Sequence, residues 1–192
     1  MSIIEWIAAI TGVISVVLTA RVHLWAWPIG IVNVLLYFWI FWNERLYSDA
    51  LLQVYFLAMS IYGWWHWLRR GSQTDARQDA LPVQWLPTRR MFGMLLLTLL
   101  AALGWGAIMA RWTDADFPIL DAIIAMFSVL AQFWMARKLL QAWPVWIAVD
   151  VLAVGVYSAK GMVPTTILYA LFLLLAIGGW WQWRARYRLA QG

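Results

Sequence analysis

Three residue groups recur along this chain at one fixed interval. Ala20-Arg21, Ala26-Trp27-Pro28 and Gly63-Trp64-Trp65-x-Trp67 return as Ala136-Arg137, Ala142-Trp143-Pro144 and Gly179-Trp180-Trp181-x-Trp183, each 116 positions later and without a gap. Glu5/Asp121, Ile31/Ile147, Leu52/Leu168 and Phe56/Phe172 share the offset. In a chain that is 65% hydrophobic, coincidences of Leu or Ala carry little weight. Ungapped Trp-Pro and Gly-Trp-Trp matches carry much, so an internal duplication decides the architecture.

Only 12% of the 192 residues are charged, about half the share of a soluble domain. Apolar runs of membrane-spanning length recur too often for one buried core. The pattern predicts an all-α integral membrane protein with seven transmembrane helices. Their expected spans are Ile3–Ala20, Leu24–Trp42, Tyr47–Leu68, Met91–Ala110, Phe117–Ala136, Trp143–Ala159 and Met162–Trp183. No cleavable signal peptide is expected, because the first apolar run is long, lacks a basic flank and carries Glu5. Cysteine is absent, which excludes disulfides and thiolate-held metal.

The net charge of +5 reports membrane topology rather than affinity for nucleic acid. Eleven of the fourteen basic residues fall on one face: Arg21, Arg69, Arg70, Arg77, Arg89, Arg90, Arg137, Lys138, Arg184, Arg186 and Arg188. Arg45, Arg111 and Lys160 fall on the other. The positive-inside rule then places the N-terminus outside and the C-terminus in the cytoplasm of a bacterial inner membrane.

The first three spans match the last three, and the fourth has no counterpart. Three crossings invert the chain and the fourth restores its direction, so the copies are expected to be parallel. This 3+1+3 layout resembles the plan of SWEET-type sugar transporters. The chain is read as a single transmembrane domain, 1–192. It comprises a first three-helix bundle (3–68), a polar cytoplasmic linker (69–90), a connecting helix (91–110) and a second bundle (117–183). Trp64, Trp65, Trp67, Trp180, Trp181 and Trp183 read as an aromatic belt beside arginines, with His66 interfacial among them.

Polar groups at membrane depth are the candidate site. Asp150 lies mid-way along the sixth helix, where hydrocarbon penalises a carboxylate by about 2.5–3.5 kcal/mol. It must therefore face protein or water. Trp146 at i−4 and Tyr157 at i+7 share its face. A carboxylate among aromatic rings suits a flat organic cation, since ring contacts add about 0.5–2 kcal/mol each. Asn33 and Tyr37 on the second helix, Gln53 on the third, Gln132 and Ser128 on the fifth and Tyr169 on the seventh are further candidates. The same residue types also serve as hydrogen bonds between helices. Glu5, Asp49 and Asp121 read as shallow.

The segments Trp27-Pro-Ile-Gly-Ile-Val-Asn33, Gly63-Trp-Trp-His-Trp67, Pro118-Ile-Leu-Asp121-Ala, Trp143-Pro-Val-Trp146-Ile-Ala-Val-Asp150-Val and Tyr157-Ser-Ala-Lys160-Gly resemble the PnuC-type vitamin transporter family. The resemblance implies an inner-membrane facilitator of nicotinamide riboside or a related vitamin. It further implies no ATPase and no cofactor, trapping of substrate by phosphorylation, and a homo-oligomer such as a trimer. It adds Trp143 to the binding set beside Trp146, Asp150 and Gln53. Nicotinamide riboside and thiamine both fit a carboxylate, which disfavours neutral riboflavin.

Other classes are weaker. An enzyme finds no support, because His23 and His66 do not form a metal pair and no phosphate-cradling glycine loop is present. A rhodopsin needs a lysine that Met162–Trp183 lacks. A binding subunit of an ATPase-coupled transporter remains an alternative.

Overall fold

The computed structural model describes residues 3–43, 47–71, 83–112 and 116–189. Seven helices run through them: α1 (Ile3–Ala20), α2 (Ala26–Asn43), α3 (Tyr47–Gly71), α4 (Thr88–Trp112), α5 (Pro118–Ala136), α6 (Ala142–Ala159) and α7 (Val163–Leu189). All but α3 are long and apolar enough to cross a membrane by length and composition. At 25 residues, α3 measures roughly 37 Å, but Gln53, Ser60, His66 and its terminal arginines dilute its hydropathy.

Three helices outrun the spans expected from apolarity. α3 continues to Gly71, α4 begins at Thr88 and α7 continues to Leu189. Arg69, Arg70, Arg89 and Arg90 are consequently helical, not linker residues. Arginine is a good helix former, so a helix need not stop where its apolar run does. Residues 72–82, with Ser72, Arg77 and Pro82, lie outside the described residues, as do Arg45 and the side chain of Asp49.

Packing follows a closed order. α1 lies on α2, α2 on α3, α3 on α5, α5 on α6, α6 on α7, and α7 returns to α1. In this ring of six, each helix stands opposite its repeat partner: α1 across from α5, α2 from α6, α3 from α7. Among the described helices, α4 packs on α5 alone, outside the ring. Small residues permit the close crossings, as expected where helices have no hydrophobic driving force between them. A Cβ added to Gly106 of α4 would stand 2.8 Å from the Ile119 Cα of α5.

The two copies agree down to backbone detail. Val22 and Lys138, related by the 116-residue offset, have φ of 59° and 55°. His23 N–H bonds to Leu18 C=O at 2.8 Å, and Leu139 N–H to Trp134 C=O at 3.0 Å. Val22 N–H bonds to Thr19 C=O at 2.9 Å, and Lys138 N–H to Met135 C=O at 3.0 Å. Each pair is a Schellman closure satisfying the last carbonyls of α1 or α5. Left-handed backbone is costly for a β-branched valine, so the shared turn is held by the packing around it.

That packing also explains the repeated tryptophan motifs. The Trp27 indole lies across Gly63, and the Trp143 indole across Gly179; an added Cβ would meet the rings at 2.3 and 2.4 Å. Trp27 meets Trp67 edge-on at 5.2 Å, and Trp143 meets Trp183 edge-on at 5.5 Å. Trp67 donates from Nε1 to Ala136 C=O at 3.2 Å, whereas Trp183 donates to Thr19 C=O at 3.1 Å. Each copy thus bonds to the other's turn. The C-terminal ends of α1, α3, α5 and α7 gather at one end of the ring, so both copies run the same way. The guanidinium of Arg186 also donates to Arg21 C=O there, at 3.0 Å.

An aromatic belt accounts for only part of these motifs. Trp64, Trp65 and Trp181 are exposed, but Trp67 and Trp183 are buried at 4% and 0%. The reason is helical geometry: the fourth residue after Gly63 or Gly179 returns to the glycine's face, whereas the next two turn away. The outward surface is strongly apolar elsewhere, as Leu97 and Leu174 illustrate, because hydrocarbon replaces water as the solvent.

The end of the polar linker is docked. Gln84 exchanges backbone bonds with the α5–α6 turn, donating to Lys138 C=O at 3.0 Å and accepting from Leu140 N–H at 2.9 Å. The Gln141 amide clamps Leu86 by accepting from its N–H at 3.1 Å and donating to its C=O at 2.9 Å.

Candidate functional site

Asp150 sits mid-way along the 18-residue α6 and is 3% exposed. Among the described residues, no group hydrogen-bonds to its carboxylate and no cation pairs with it. Nor is it sealed: the side-chain polar atoms enclosed without a partner are the indole nitrogens of Trp27, Trp134 and Trp143. The carboxylate therefore keeps slight access to solvent although the residue is buried. A buried charge left in that condition needs water or a ligand.

Aromatic rings gather beside it. Tyr157, seven residues along the same helix face, stacks on Tyr169 of α7 at 5.2 Å and 19°. The Tyr169 hydroxyl lies within electrostatic reach of Tyr157, of Asp150 and of Tyr37 on α2. Phe172 meets the Tyr169 ring edge-on at 6.2 Å. Tyr37 also stacks on Phe41 at 5.6 Å and lies near Glu5 of α1. Four of the nine expected residues, Tyr37, Asp150, Tyr157 and Tyr169, thus converge from α2, α6 and α7.

The other five divide. Trp143 is wedged against Gly179 and Trp183, two helical turns from Asp150, and its ring is 2% exposed. Trp146 is half-buried against the core. Asn33 donates from Nδ2 to Ala8 C=O at 2.6 Å and to Thr11 Oγ1 at 3.3 Å, which ties α2 to α1. Gln53 and Gln132 are half-buried. Gln53 occupies on α3 the position that Tyr169 holds on the opposite helix α7. Of the remaining candidates, Ser128 donates to Ile124 C=O at 2.7 Å within α5. Asp121 is ion-paired with Lys160 at 2.9 Å.

The frame is repeated, but the site is not. At the offset of 116, Asp150 corresponds to Val34, Tyr37 to Ala153, Tyr157 to Phe41 and Tyr169 to Gln53. At three of these four positions a polar group in one copy stands against an apolar residue in the other, and at the fourth, Tyr169 and Gln53, both are polar. What the sequence reading missed is Phe172 as a wall of this group and Lys160 as the partner of Asp121. The first was legible as the repeat partner of Phe56; the second requires knowing that the ends of α5 and α6 meet. A separate apolar cavity of about 370 Å³ lies between α4, α5 and α6, lined by Trp85, Leu95, Phe127 and Pro144 among others. It contains none of the nine expected residues.

The family described as Nicotinamide mononucleotide transporter matches residues 2–185. The nicotinamide riboside transporter PnuC of Escherichia coli is 28% identical, over 95% of this chain and 85% of that protein. The riboflavin/roseoflavin transporter RibM of Streptomyces davaonensis is 27% identical, over 96% and 85%. A crystal structure of the vitamin B3 transporter PnuC superimposes with a TM-score of 0.78 at 18% identity, covering 97% of this chain and 82% of that one. An all-helical, apolar bundle of the same fold, matched along nearly its whole length, leaves one assignment. The chain belongs to the nicotinamide mononucleotide transporter family and is a multi-pass transporter of the bacterial inner membrane.

Proposed function

We propose that this protein carries nicotinamide riboside into the cell by facilitated diffusion, with the substrate trapped inside by phosphorylation. The observation that carries the reading is Asp150, a buried carboxylate with no partner among the described residues, beside the Tyr157–Tyr169 stack. A cation held 4 Å from a carboxylate gains about 4 kcal/mol at an effective dielectric near 20. A ring contact adds about 0.5–2 kcal/mol. The charge therefore selects the substrate class, and the rings select for flatness. The gathered basic residues favour a cytoplasmic location for the end that holds Trp67 and Trp183, with the N-terminus outside.

Two relatives of nearly equal identity carry different vitamins by name. A riboflavin carrier is therefore the second reading, and thiamine satisfies the carboxylate as nicotinamide riboside does. Transport without an ATPase partner distinguishes a facilitator from a binding subunit. The test is uptake into liposomes containing the purified protein alone, with nicotinamide riboside, thiamine and riboflavin supplied separately. Nicotinamide riboside should accumulate to its outside concentration, and Asp150→Asn should lower its affinity at least tenfold in folded protein. Uptake of riboflavin alone, or normal affinity in the Asp150→Asn variant, would overturn the reading.

A further inference from the structure

We infer that Trp27, Trp67, Trp143 and Trp183 form the gate that closes the basic end of the ring. The inference rests on the reading of the protein as a carrier with one central site. α3 and α7 do not pack on one another; they stand on opposite walls, separated by α5 and α6 on one side and α1 and α2 on the other. Yet the rings of Trp67 and Trp183 meet at 6.2 Å. Side chains reaching from opposite walls can meet only across the lumen. With the edge contacts to Trp27 and Trp143, at 5.2 and 5.5 Å, four indoles form an unbroken row from one copy to the other. All four are at most 5% exposed, so the row excludes water.

Two features make this row a gate as well as a plug. Its closure is latched reciprocally, since Trp67 and Trp183 each donate one hydrogen bond to a backbone carbonyl at the far turn of the other copy. Rocking one copy against the other, the motion expected of duplicated carriers, must break both bonds together. The closed row also holds Trp27 and Trp143 with buried indole N–H groups that find no acceptor among the described residues. A buried donor without a partner is costly, and here the cost falls at equivalent positions in both copies. Two bonds hold the row shut while two unpaired donors oppose it, which is how a packed interface acquires a second accessible state.

The test uses the natural absence of cysteine. Ser60, buried at 2%, lies seven residues before Trp67 on the same face of α3, behind the row. The variant Ser60→Cys reports access to that depth through its reaction with a membrane-impermeant thiol reagent in vesicles of each orientation. Leu189→Cys, at an 82% exposed position on the basic end, marks the side from which the reagent arrives. Adding Trp67→Phe and Trp183→Phe keeps the rings and deletes both latches. Labelling from the basic side should rise at least tenfold, while labelling from the other side does not rise. Trp64→Phe with Trp180→Phe, from the same motifs but outside the row, should leave it unchanged.

Equal labelling rates with and without the latches, in protein with an unaltered thermal midpoint, would overturn the gate. If the double Phe variant unfolds, Trp183→Phe alone is expected to give a smaller rise, and no rise there counts equally against it. Because thiol reactivity needs no substrate, failed vitamin uptake with increased labelling would sink the functional reading and leave the gate standing.

Discussion

The indole of Trp143 lies flat enough on Gly179 that a single added methyl group would stand 2.4 Å from its Cη2. Trp27 and Gly63 repeat the relationship at 2.3 Å. Neither glycine supplies unusual backbone; each sits within a helix, and its value is the missing side chain. The tryptophan-proline and glycine-tryptophan motifs, far apart in sequence, are two sides of one contact.

Gly179→Ala is accordingly expected to destabilise the protein. The ring cannot retreat, being packed against Trp183, so the cost should resemble that of overpacking, about 1–3 kcal/mol. Gly178→Ala is the control, because nothing lies within 4 Å of its added Cβ. Thermal unfolding in detergent should show a lower midpoint for the first and an unchanged or higher one for the second. Equal midpoints would mean that the wedge does not bear on stability.

Asn33 should prove to hold helices more than substrate. Its amide donates to Ala8 C=O at 2.6 Å, and bonds of this kind in membranes contribute about 0.6–1.7 kcal/mol. Asn33→Ala is expected to lower the unfolding midpoint while leaving substrate affinity within about threefold. A tenfold loss of affinity at unchanged stability would return Asn33 to the binding set.

Lys160 grips both carboxylate oxygens of Asp121, at 2.9 and 3.1 Å, joining the end of α6 to the first turn of α5. The side chains are 20% and 37% exposed, so the pair should contribute no more than about 1 kcal/mol. Lys160→Asp should lower the midpoint by like-charge repulsion, and combining it with Asp121→Lys should recover most of the loss. Failure of the double variant to recover would point to the Lys160 stem, packed near Tyr157, as the stabilising part.

A pH dependence should come from Lys138, in the turn between α5 and α6. Its amine is pushed down to about 8 from 10.5, first by burial and then by Arg186. Between those values the unfolded chain binds a proton that the folded protein does not, so stability rises with pH across the window and is flat below it. Unfolding midpoints measured from pH 7 to 9.5 should climb in the parent and lose that climb in Lys138→Met. A parallel rise in both would assign the effect to other groups.

Reading the chain alone brought out much of the architecture, and the reasons are local. Helix existence and approximate ends follow from apolar runs, as at α1 and α5. The offset that pairs Gly63 with Gly179 is visible without coordinates. Asp150 was also legible, because hydrocarbon makes a mid-helix carboxylate conspicuous whatever surrounds it. Less legible was which tryptophans are buried. Trp67 looks like Trp64 and Trp65 until the face shared with Gly63 is matched to a ring arriving from α2.

By itself, the sequence determined that this is a duplicated, membrane-embedded helical bundle, because period, hydropathy and repetition are properties of the chain. Only the tertiary structure decided which polar groups remain available. Asn33 is committed to Ala8, Asp121 to Lys160 and Trp143 to Gly179, whereas Asp150 has no partner among the described residues. Those outcomes depend on which helices become neighbours when the ring closes, and side-chain chemistry does not specify its own neighbours.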